Sequence, residues 1–190
     1  EAIARLLAAH GAHVIISSRK AAPRAAVAAS IREAVGKASV LAGHVGEMDQ
    51  IDATFKAIEQ QFGRLDILVN NAAANPYFGH ITDTDLGAFQ KTVDVNIRGY
   101  FFMCSGGAKL MHKNGGGSII NIASVNGVIP GMAQGIYSIT KAAVISMTHA
   151  FAKECAPMKV RVNAILPGAT DTKFASALTT NDAILKMVMA

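Results

Sequence analysis

The stretch IDATFKAIEQQFGRLDILVNNA, residues 51–72, contains a helical pattern and a strand pattern in immediate succession. Apolar residues recur at helical spacing through 51–62, and Gly63 stands where a glycine often ends a helix. The following segment, 65–72, is a strongly apolar run that ends in polar residues, which is typical of a buried strand. A helix that leads directly into a buried strand is the repeating unit of an α/β protein.

The same alternation extends through the rest of the chain. The further helices are predicted at 1–10, 23–36, 84–113 and 135–156, and the further strands at 13–17, 39–45, 115–124 and 159–168. Regular alternation of this kind predicts βαβ units. We therefore expect an α/β fold, a Rossmann-like doubly wound parallel sheet with helices on both faces, in a single domain spanning residues 1–190.

Composition excludes several classes of function. Apolar residues make up 51% of the 190 residues, but their runs are broken well before the ~18 that a membrane span requires. The net charge of +5 comes from scattered Lys and Arg, which does not favour nucleic-acid binding. The six histidines are dispersed, so no metal site is predicted. Cys104 and Cys155 form no CxxC motif, which favours reduced thiols in a cytoplasmic protein.

Polar residues cluster where the predicted strands end. In a parallel sheet, ligands bind just beyond the carboxyl ends of the strands. The polar strand-end positions are Ser18 and Arg19, Asn70 and Asn71, Ser124, and 167–172. This distribution predicts a small-molecule site along one edge of the sheet.

The strand end SSRK, residues 17–20, has the chemistry of a phosphate site. In a nucleotide-binding sheet, an acidic residue here would hold a ribose 2′-hydroxyl, whereas an arginine can pair with a 2′-phosphate. Ser18 offers a hydroxyl, Arg19 a planar guanidinium and Lys20 a second cation. The alternative interpretation is a solvated cluster at the end of a strand.

The segment NNAAA, residues 70–74, combines small residues with two asparagines. Small side chains after a strand allow a ligand to approach the backbone closely, and asparagine can hold neighbouring strands together through backbone hydrogen bonds. An ordinary turn would have the same composition.

A possible proton-transfer group is formed by Ser124, Tyr137 and Lys141. Ser124 ends a strand, Tyr137 opens a helix, and Lys141 follows four residues later on the same helix face. A nearby ammonium favours a phenolate and would lower the pKa of tyrosine from ~10. A general acid of suitable pKa accelerates reactions ~10²–10⁴-fold. A lone YxxxK pair is common on helices, but the serine at a strand end makes a catalytic role the better interpretation.

These motifs resemble those of the short-chain dehydrogenase/reductase family along nearly the whole chain. The matching segments are NNAA (70–73), VNIRG (95–99), SIINIAS (118–124), YSITK (137–141) and VRVNAILPGATDT (160–172). Within the family, SSRK, NNAAANPYFG and the Pro-Gly segment (167–168) look most like the NADP(H)-dependent carbonyl reductases related to dehydrogenase/reductase member 4. The resemblance implies an oxidoreductase that moves hydride between NADP(H), preferred over NAD(H), and a carbonyl/secondary alcohol pair.

The resemblance also implies catalytic roles. Tyr137 would protonate the carbonyl oxygen, and Ser124 would orient that carbonyl. Lys141 would lower the pKa of Tyr137 and hold the nicotinamide ribose. Asn96 would complete a tetrad, with its helix backbone holding a water that relays protons to Lys141; the alternative for Asn96 is a polar residue at a helix kink.

The cofactor would contact the strand-end loops. By resemblance, the contacts beyond Tyr137, Lys141 and the SSRK residues are His44, Val45, Asn71, Ala72, Ala73, Pro167, Gly168, Thr170 and Thr172. His44 replaces a commoner Asp at the adenine edge, which would remove a carboxylate contact and leave the backbone contact of Val45.

The substrate pocket is expected to be apolar. Its predicted lining comes from 75–80, 125–134 and 174–183, with Tyr77, Phe78, Asn126, Ile129, Met132 and Phe174. An apolar ketone or aldehyde fits such a lining. A 3-oxoacyl-[acyl-carrier-protein] reductase is the alternative, and a non-catalytic nucleotide-binding or scaffold protein of the same fold is an alternative of another class.

Two further expectations concern the ends and the assembly of the chain. The family's TGxxxGIG turn is absent, and EAIARLL resembles the helix that follows it. Either residues are missing from this sequence, as we expect for the first and last strands, or the chain is a truncation that would bind nucleotide weakly. Small and apolar residues in 84–113 and 137–156 suggest a homodimer or homotetramer, or else intrachain packing.

Overall fold

The computed structural model describes residues 1–34 and 36–170. Its α-helices are α1 (Ala2–Ala9), α2 (Ala21–Glu33), α3 (Met48–Phe62), α4 (Leu86–Val93), α5 (Tyr100–Lys113) and α6 (Gly135–Glu154). Its strands are β1 (His13–Ser18), β2 (Lys37–Ala42), β3 (Ile67–Asn70), β4 (Gly117–Ile122) and β5 (Val160–Ile165). The predicted alternation of helices and strands is confirmed, with shifts of a few residues at the boundaries.

The chain divides into two compact units, of which the first is Glu1–Gly63. In it, β1 pairs with β2 in parallel, from His13 opposite Lys37 to Ser18 opposite Ala42. The core of this unit consists of Ala8, Ala28, Ile31 and Ala38. The apolar residues of β1 are half-buried rather than buried on both faces.

Helix α3 ends as the opening stretch of sequence predicts. Gly63 has φ 71°, in the left-handed region, and its N–H donates to the carbonyl of Glu59 at 3.0 Å. Glycine adopts this conformation without a steric cost, so the chain leaves the helix at this residue.

The second unit begins at Arg64 and contains a parallel sheet in the order β3-β4-β5. The register places Asn70 opposite Asn121 and Ile122 opposite Ile165, so the carboxyl ends of the three strands lie side by side. Helices α5 and α6 pack on the sheet through a core of small and medium apolar side chains. These are Cys104, Ala108, Met111, Ile119, Cys155, Val160 and Val162.

The segment predicted as one helix over 84–113 has three parts. The Asp85 side chain caps α4 by accepting from the N–H of Ala88 at 2.9 Å. A π-helical turn, Asp94–Gly99, then separates α4 from α5. Turns of this type are rare, occur mostly inside α-helices and are frequent at functional sites. Periodicity alone does not reveal this turn, because all three parts have helical character.

The loops that follow β4 and β5 are joined at the edge of the sheet. The N–H of Val125 donates to the carbonyl of Pro167 at 3.1 Å, and Val125–Gly127 forms a 3₁₀ turn directly after Ser124. In the described residues, no helix combines the length and the apolar character that a membrane span requires.

Candidate active site

Ser124 and Tyr137 are joined by a hydrogen bond. Ser124 follows β4, and its Oγ accepts from the N–H of Asn126 at 3.1 Å, which leaves the serine O–H free to donate to the tyrosine oxygen. Both residues are buried, with 9% of Ser124 and 7% of Tyr137 exposed. Burial raises the pKa of Tyr137, and the hydrogen bond with Ser124 offsets part of that rise. The phenol therefore stays protonated at neutral pH.

Lys141 lies one helical turn after Tyr137 and is 1% exposed. Its Nζ donates to the carbonyl of Ile122 at 2.6 Å and lies 5.6 Å from the centre of the Tyr137 ring. Burial lowers the pKa of Lys141 to about 8. The pKa of Tyr137 is raised overall, because burial is its largest cause and the ammonium donates to the Ile122 carbonyl. A lowering contribution from Lys141 to the pKa of Tyr137 stays a prediction.

Asn96 lies in the π-helical turn and is fully buried. Its Oδ1 accepts from the N–H of Ala74 at 2.8 Å, and its Nδ2 donates to the carbonyl of Ala74 at 2.9 Å. The same Nδ2 donates to Oγ1 of Thr140 at 3.0 Å, on the helix that carries Tyr137 and Lys141. The side chain of Asn96 thus connects the loop after β3 with α6. Its place in the π-helical turn also fits the alternative of a polar residue at a helix kink, so its catalytic role stays a prediction.

A buried amide network supports the same edge of the sheet. Nδ2 of Asn70 donates to Oδ1 of Asn121 at 2.9 Å, and Nδ2 of Asn121 donates to Oγ1 of Thr148 at 3.0 Å. Cys104 lies within the network, where burial raises the pKa of its thiol to about 12. Asn70 does hold the neighbouring strand, but through a side chain on that strand rather than through its backbone. Asn121 and Thr148 are not predicted from the sequence, where their only signal is a polar residue inside an apolar pattern.

The loops predicted to line the substrate pocket contact each other. The N–H of Gly79 donates to the carbonyl of Ala133 at 3.1 Å, and Nδ2 of Asn75 donates to Oε1 of Gln134 at 3.1 Å. Ile129 and Met132 are largely exposed, at 76% and 65%. Of the other predicted lining residues, Tyr77, Phe78 and Asn126 are half-buried, the hydroxyl of Tyr77 donates to the carbonyl of His80, and Phe174 lies outside the described residues.

The predicted phosphate site lies in the first unit, at the end of β1. Arg19 and Lys20 are exposed, and Oγ of Ser18 donates to the carbonyl of Lys20 at 3.1 Å. Arg24, which the sequence analysis did not single out, donates through Nη1 to the carbonyl of Ser18. The Nε of Arg24 is buried and has no hydrogen-bond partner. The sequence signal for Arg24 is a basic residue shortly after the end of β1.

The residues after β2 form a tight loop. Nδ1 of His44 accepts from the N–H of Gly46 at 2.9 Å, which assigns the proton of the neutral ring to Nε2. An aspartate oxygen would satisfy the same N–H, so histidine preserves the loop although it lacks a carboxylate. Val45 is half-buried.

The remaining predicted cofactor contacts belong to the second unit. Asn71 and Ala72 are exposed and Ala73 is half-buried. Pro167 is half-buried; Gly168 and Thr170 are exposed, and Oγ1 of Thr170 donates to the carbonyl of Gly168 at 3.2 Å. Thr172 lies outside the described residues.

Comparison with known proteins assigns the family. A family model described as short chain dehydrogenase matches residues 1–183. The chain belongs to the short-chain dehydrogenase family. Its fold is accordingly the Rossmann-like α/β fold of that family, and the relatives named below are oxidoreductases.

Among relatives of this short-chain dehydrogenase is dehydrogenase/reductase SDR family member 4. The rabbit protein (Oryctolagus cuniculus) is 37% identical over 178 residues, which cover 93% of this chain and 68% of the relative. The human protein (Homo sapiens) is 35% identical over 180 residues, covering 93% of this chain and 64% of the relative. The chain thus spans about two thirds of the length of these curated relatives.

Solved structures give the same result for the fold. A gluconate 5-dehydrogenase from Burkholderia cenocepacia, in complex with NADP and tartrate, superposes with a TM-score of 0.90 at 29% identity, covering 96% of this chain and 71% of that one. A short-chain type dehydrogenase/reductase from Mycobacterium marinum also has a TM-score of 0.90, at 32% identity, covering 96% and 72%.

Proposed function

We propose that this short-chain dehydrogenase is an NADP(H)-dependent oxidoreductase acting on a carbonyl/secondary alcohol pair. The observation that carries the proposal is the buried hydrogen bond between Ser124 and Tyr137, with Lys141 one turn away and almost fully buried. A protonated phenol with a hydroxyl beside it can donate to a carbonyl oxygen from two directions.

In this mechanism each residue of the chain has a distinct task. Tyr137 protonates the carbonyl oxygen, and its raised pKa keeps the proton available at neutral pH. Ser124, held by the N–H of Asn126, orients the same oxygen. Lys141 supplies a positive charge close to the Tyr137 ring, which favours the phenolate left after proton transfer. Asn96 keeps α6 and the loop after β3 in contact.

NADP(H) would supply the hydride, and the residues at the end of β1 fit its 2′-phosphate. The exposed Arg19 and Lys20 and the hydroxyl of Ser18 are phosphate-binding groups. The unpartnered Nε of Arg24, beside Ser18, is a further donor at the same strand end. Among the described residues from Ser17 to Ala28 there is no Asp or Glu that would repel a dianion. We propose His44, Val45, 71–73, 167–168, Thr170 and Thr172 as the other cofactor contacts.

The proposed substrate is an apolar ketone or aldehyde. The exposed apolar side chains that follow Ser124 support it, because Val128, Ile129 and Met132 are 65% to 76% exposed and would lose water on contact with an apolar molecule. We also propose a homodimer or homotetramer through α5 and α6, supported by the exposure of Phe101 and Ile139. A cytoplasmic location stays a prediction.

The test is NADPH oxidation with a panel of ketones, aldehydes and a 3-oxoacyl thioester. We expect turnover with the apolar carbonyls, and a loss of ~10²-fold or more in Tyr137→Phe. Ser124→Ala should lower kcat, whereas its matched control Ser118→Ala, at the other end of β4, should leave it unchanged.

Three outcomes would contradict the proposal. Preference for the thioester would indicate the acyl-carrier reductase. Absence of turnover together with NADPH binding would indicate a non-catalytic nucleotide-binding protein. Full activity in Tyr137→Phe would refute the role of the phenol.

A further inference from the structure

The carbonyl of Ile122 accepts two side-chain hydrogen bonds. Nζ of Lys141 donates to it at 2.6 Å, and the hydroxyl of Tyr100 donates to it at 3.1 Å. The pairing of β3 with β4 ends at Asn70 and Asn121, one residue before Ile122. The Ile122 carbonyl is therefore a backbone acceptor at the end of the β3–β4 ladder, and a donor from α5 meets a donor from α6 at this one atom.

The ammonium of Lys141 also lies between two aromatic rings. Nζ is 5.2 Å from the centre of the Tyr100 ring and 5.6 Å from that of Tyr137. Attraction between a cation and an aromatic face is stronger where water is excluded, and Lys141 is 1% exposed. Tyr100 thus contacts the ammonium with its ring and competes with it through its hydroxyl.

A phenylalanine would fill the position of Tyr100 equally well if packing were its only role. Tyr100 is 2% exposed, and a buried hydroxyl costs free energy unless it finds a partner. A backbone carbonyl has two lone pairs, so the Tyr100 hydroxyl occupies one and limits the ammonium to the other. Burial and the neighbouring Tyr137 raise the pKa of Tyr100, so its hydroxyl is a permanent donor and not a carrier of protons.

We propose that Tyr100 is a positioning residue for Lys141: its ring attracts the ammonium, and its hydroxyl takes one lone pair of the Ile122 carbonyl and so limits where the ammonium lies beside Tyr137. The proposal rests on the proposed function, since it concerns the lysine of the catalytic group. It assigns to α5, which carries none of the four proposed catalytic residues, control over where the positive charge of the site lies.

The proposal predicts opposite effects for the two parts of the Tyr100 side chain. In Tyr100→Phe the ring stays but the Ile122 carbonyl is no longer shared, so the pKa of Lys141 should rise by roughly half a unit to one unit. In Tyr100→Leu the ring is lost as well, so the pKa should be lower than in Tyr100→Phe by a similar amount. The titratable side chains in contact with Lys141 in the described chain are Tyr100 and Tyr137, and the Cys104 thiol near Tyr100 is neutral.

The test is an NMR titration of protein labelled with isotopes in lysine, without added cofactor, in which Lys141→Arg identifies the signal. Phe102→Leu is the matched control, because it removes an aromatic ring that is 40% exposed on the same helix and should leave the titration of Lys141 unchanged. In the activity assay, Tyr100→Phe should lower kcat several-fold and change KM for the carbonyl less than twofold.

An unchanged pKa of Lys141 in Tyr100→Phe would overturn the role of the hydroxyl, and this variant decides the matter even if Tyr100→Leu does not fold. A shift of the same size in Phe102→Leu would overturn the proposal as a whole. Because the titration needs no turnover, an inactive wild-type protein would refute the proposed function and still give an answer on Tyr100.

Discussion

Asn70 and Asn121 lie directly opposite each other on neighbouring parallel strands, and Nδ2 of Asn70 donates to Oδ1 of Asn121 at 2.9 Å. Asn121 is fully buried and passes the network on to Thr148. A polar amide pair therefore lies at the buried carboxyl ends of β3 and β4, where the loops that lead to the proposed site begin.

The first prediction concerns this pair. Asn121→Ala leaves the amide of Asn70 and the hydroxyl of Thr148 with fewer partners and opens a cavity, so the free energy of unfolding should fall by about 2–4 kcal/mol. Asn163→Ala, at an exposed position of β5, should change it by less than about 0.5 kcal/mol. Urea denaturation of both variants measures the difference, and equal stabilities would contradict a structural role for the network.

The second prediction concerns Gly127, which packs against the backbone of α6. A Cβ atom at this position would lie 2.7 Å from the carbonyl carbon of Lys141 and 2.9 Å from the nitrogen of Ala142. Gly127→Ala should displace the turn that follows Ser124 and lower the free energy of unfolding by about 1–3 kcal/mol.

The control for Gly127 is Gly168→Ala, because an added Cβ there has no heavy atom of the described residues within 4 Å beyond the glycine and its two chain neighbours. Thermal unfolding followed by circular dichroism should show a clear loss of stability in Gly127→Ala only. A wild-type melting curve for Gly127→Ala would show that the turn can move away from α6 without cost.

The third prediction concerns the choice of cofactor. Arg19→Asp replaces an exposed cation at the end of β1 with a group that repels a 2′-phosphate and can accept from a ribose hydroxyl. The ratio of kcat/KM for NADPH to that for NADH should fall by about tenfold or more. Lys37→Asp introduces the same charge change at the opposite end of the same pair of strands, so it is the control. A ratio that changes equally in both variants would refute a specific role for Arg19.

The fourth prediction concerns pH and stability. Burial lowers the pKa of Lys141 from 10.5 to about 8, so between these pH values the unfolded chain binds more protons at this residue than the folded chain does. The contribution of Lys141 therefore makes the free energy of unfolding rise with pH across this window. Lys141→Met lacks this effect. The free energy of unfolding of Lys141→Met minus that of wild type should therefore fall by up to about 3 kcal/mol between neutral pH and pH 10.5.

Urea denaturation at several pH values would measure this effect for wild type and variant. Lys109→Met, at an exposed position of α5, is the matched control for the replacement of a lysine by methionine. A difference between Lys141→Met and wild type that is constant with pH would show that Lys141 is not desolvated in the folded protein.

Sequence patterns were sufficient for the order and type of the elements, because hydrophobic spacing reports which faces are buried. Ser124, Tyr137 and Lys141 were also found by position, since a strand end and one helical turn determine where such side chains project. The π-helical turn and the two donors on the Ile122 carbonyl were not found. The first depends on contacts between Asn96 and a distant loop, and the second on a backbone atom, which has no sequence signature.

The pKa of Tyr137 illustrates the same limit. Spacing shows that an ammonium lies one turn from the phenol. The pKa of Tyr137 depends, however, on how completely water is excluded and on which acceptor the Lys141 ammonium donates to. The Ile122 carbonyl and the burial of Tyr137 decide both, and neither is readable from YSITK.

The π-helical turn also constrains the number of residues between α4 and α5. It adds about one residue to a helical repeat, so α4 and α5 are out of phase by roughly 100°. This offset lets Asn96 reach Ala74 while Tyr100 and Cys104 still face the sheet. Removing one residue from Asp94–Gly99 would bring the two helices back into phase. Either the contact of Asn96 with Ala74 or the packing of α5 on the sheet would then be lost. Substitutions within α4, the π-helical turn and α5 should therefore be tolerated more readily than insertions or deletions.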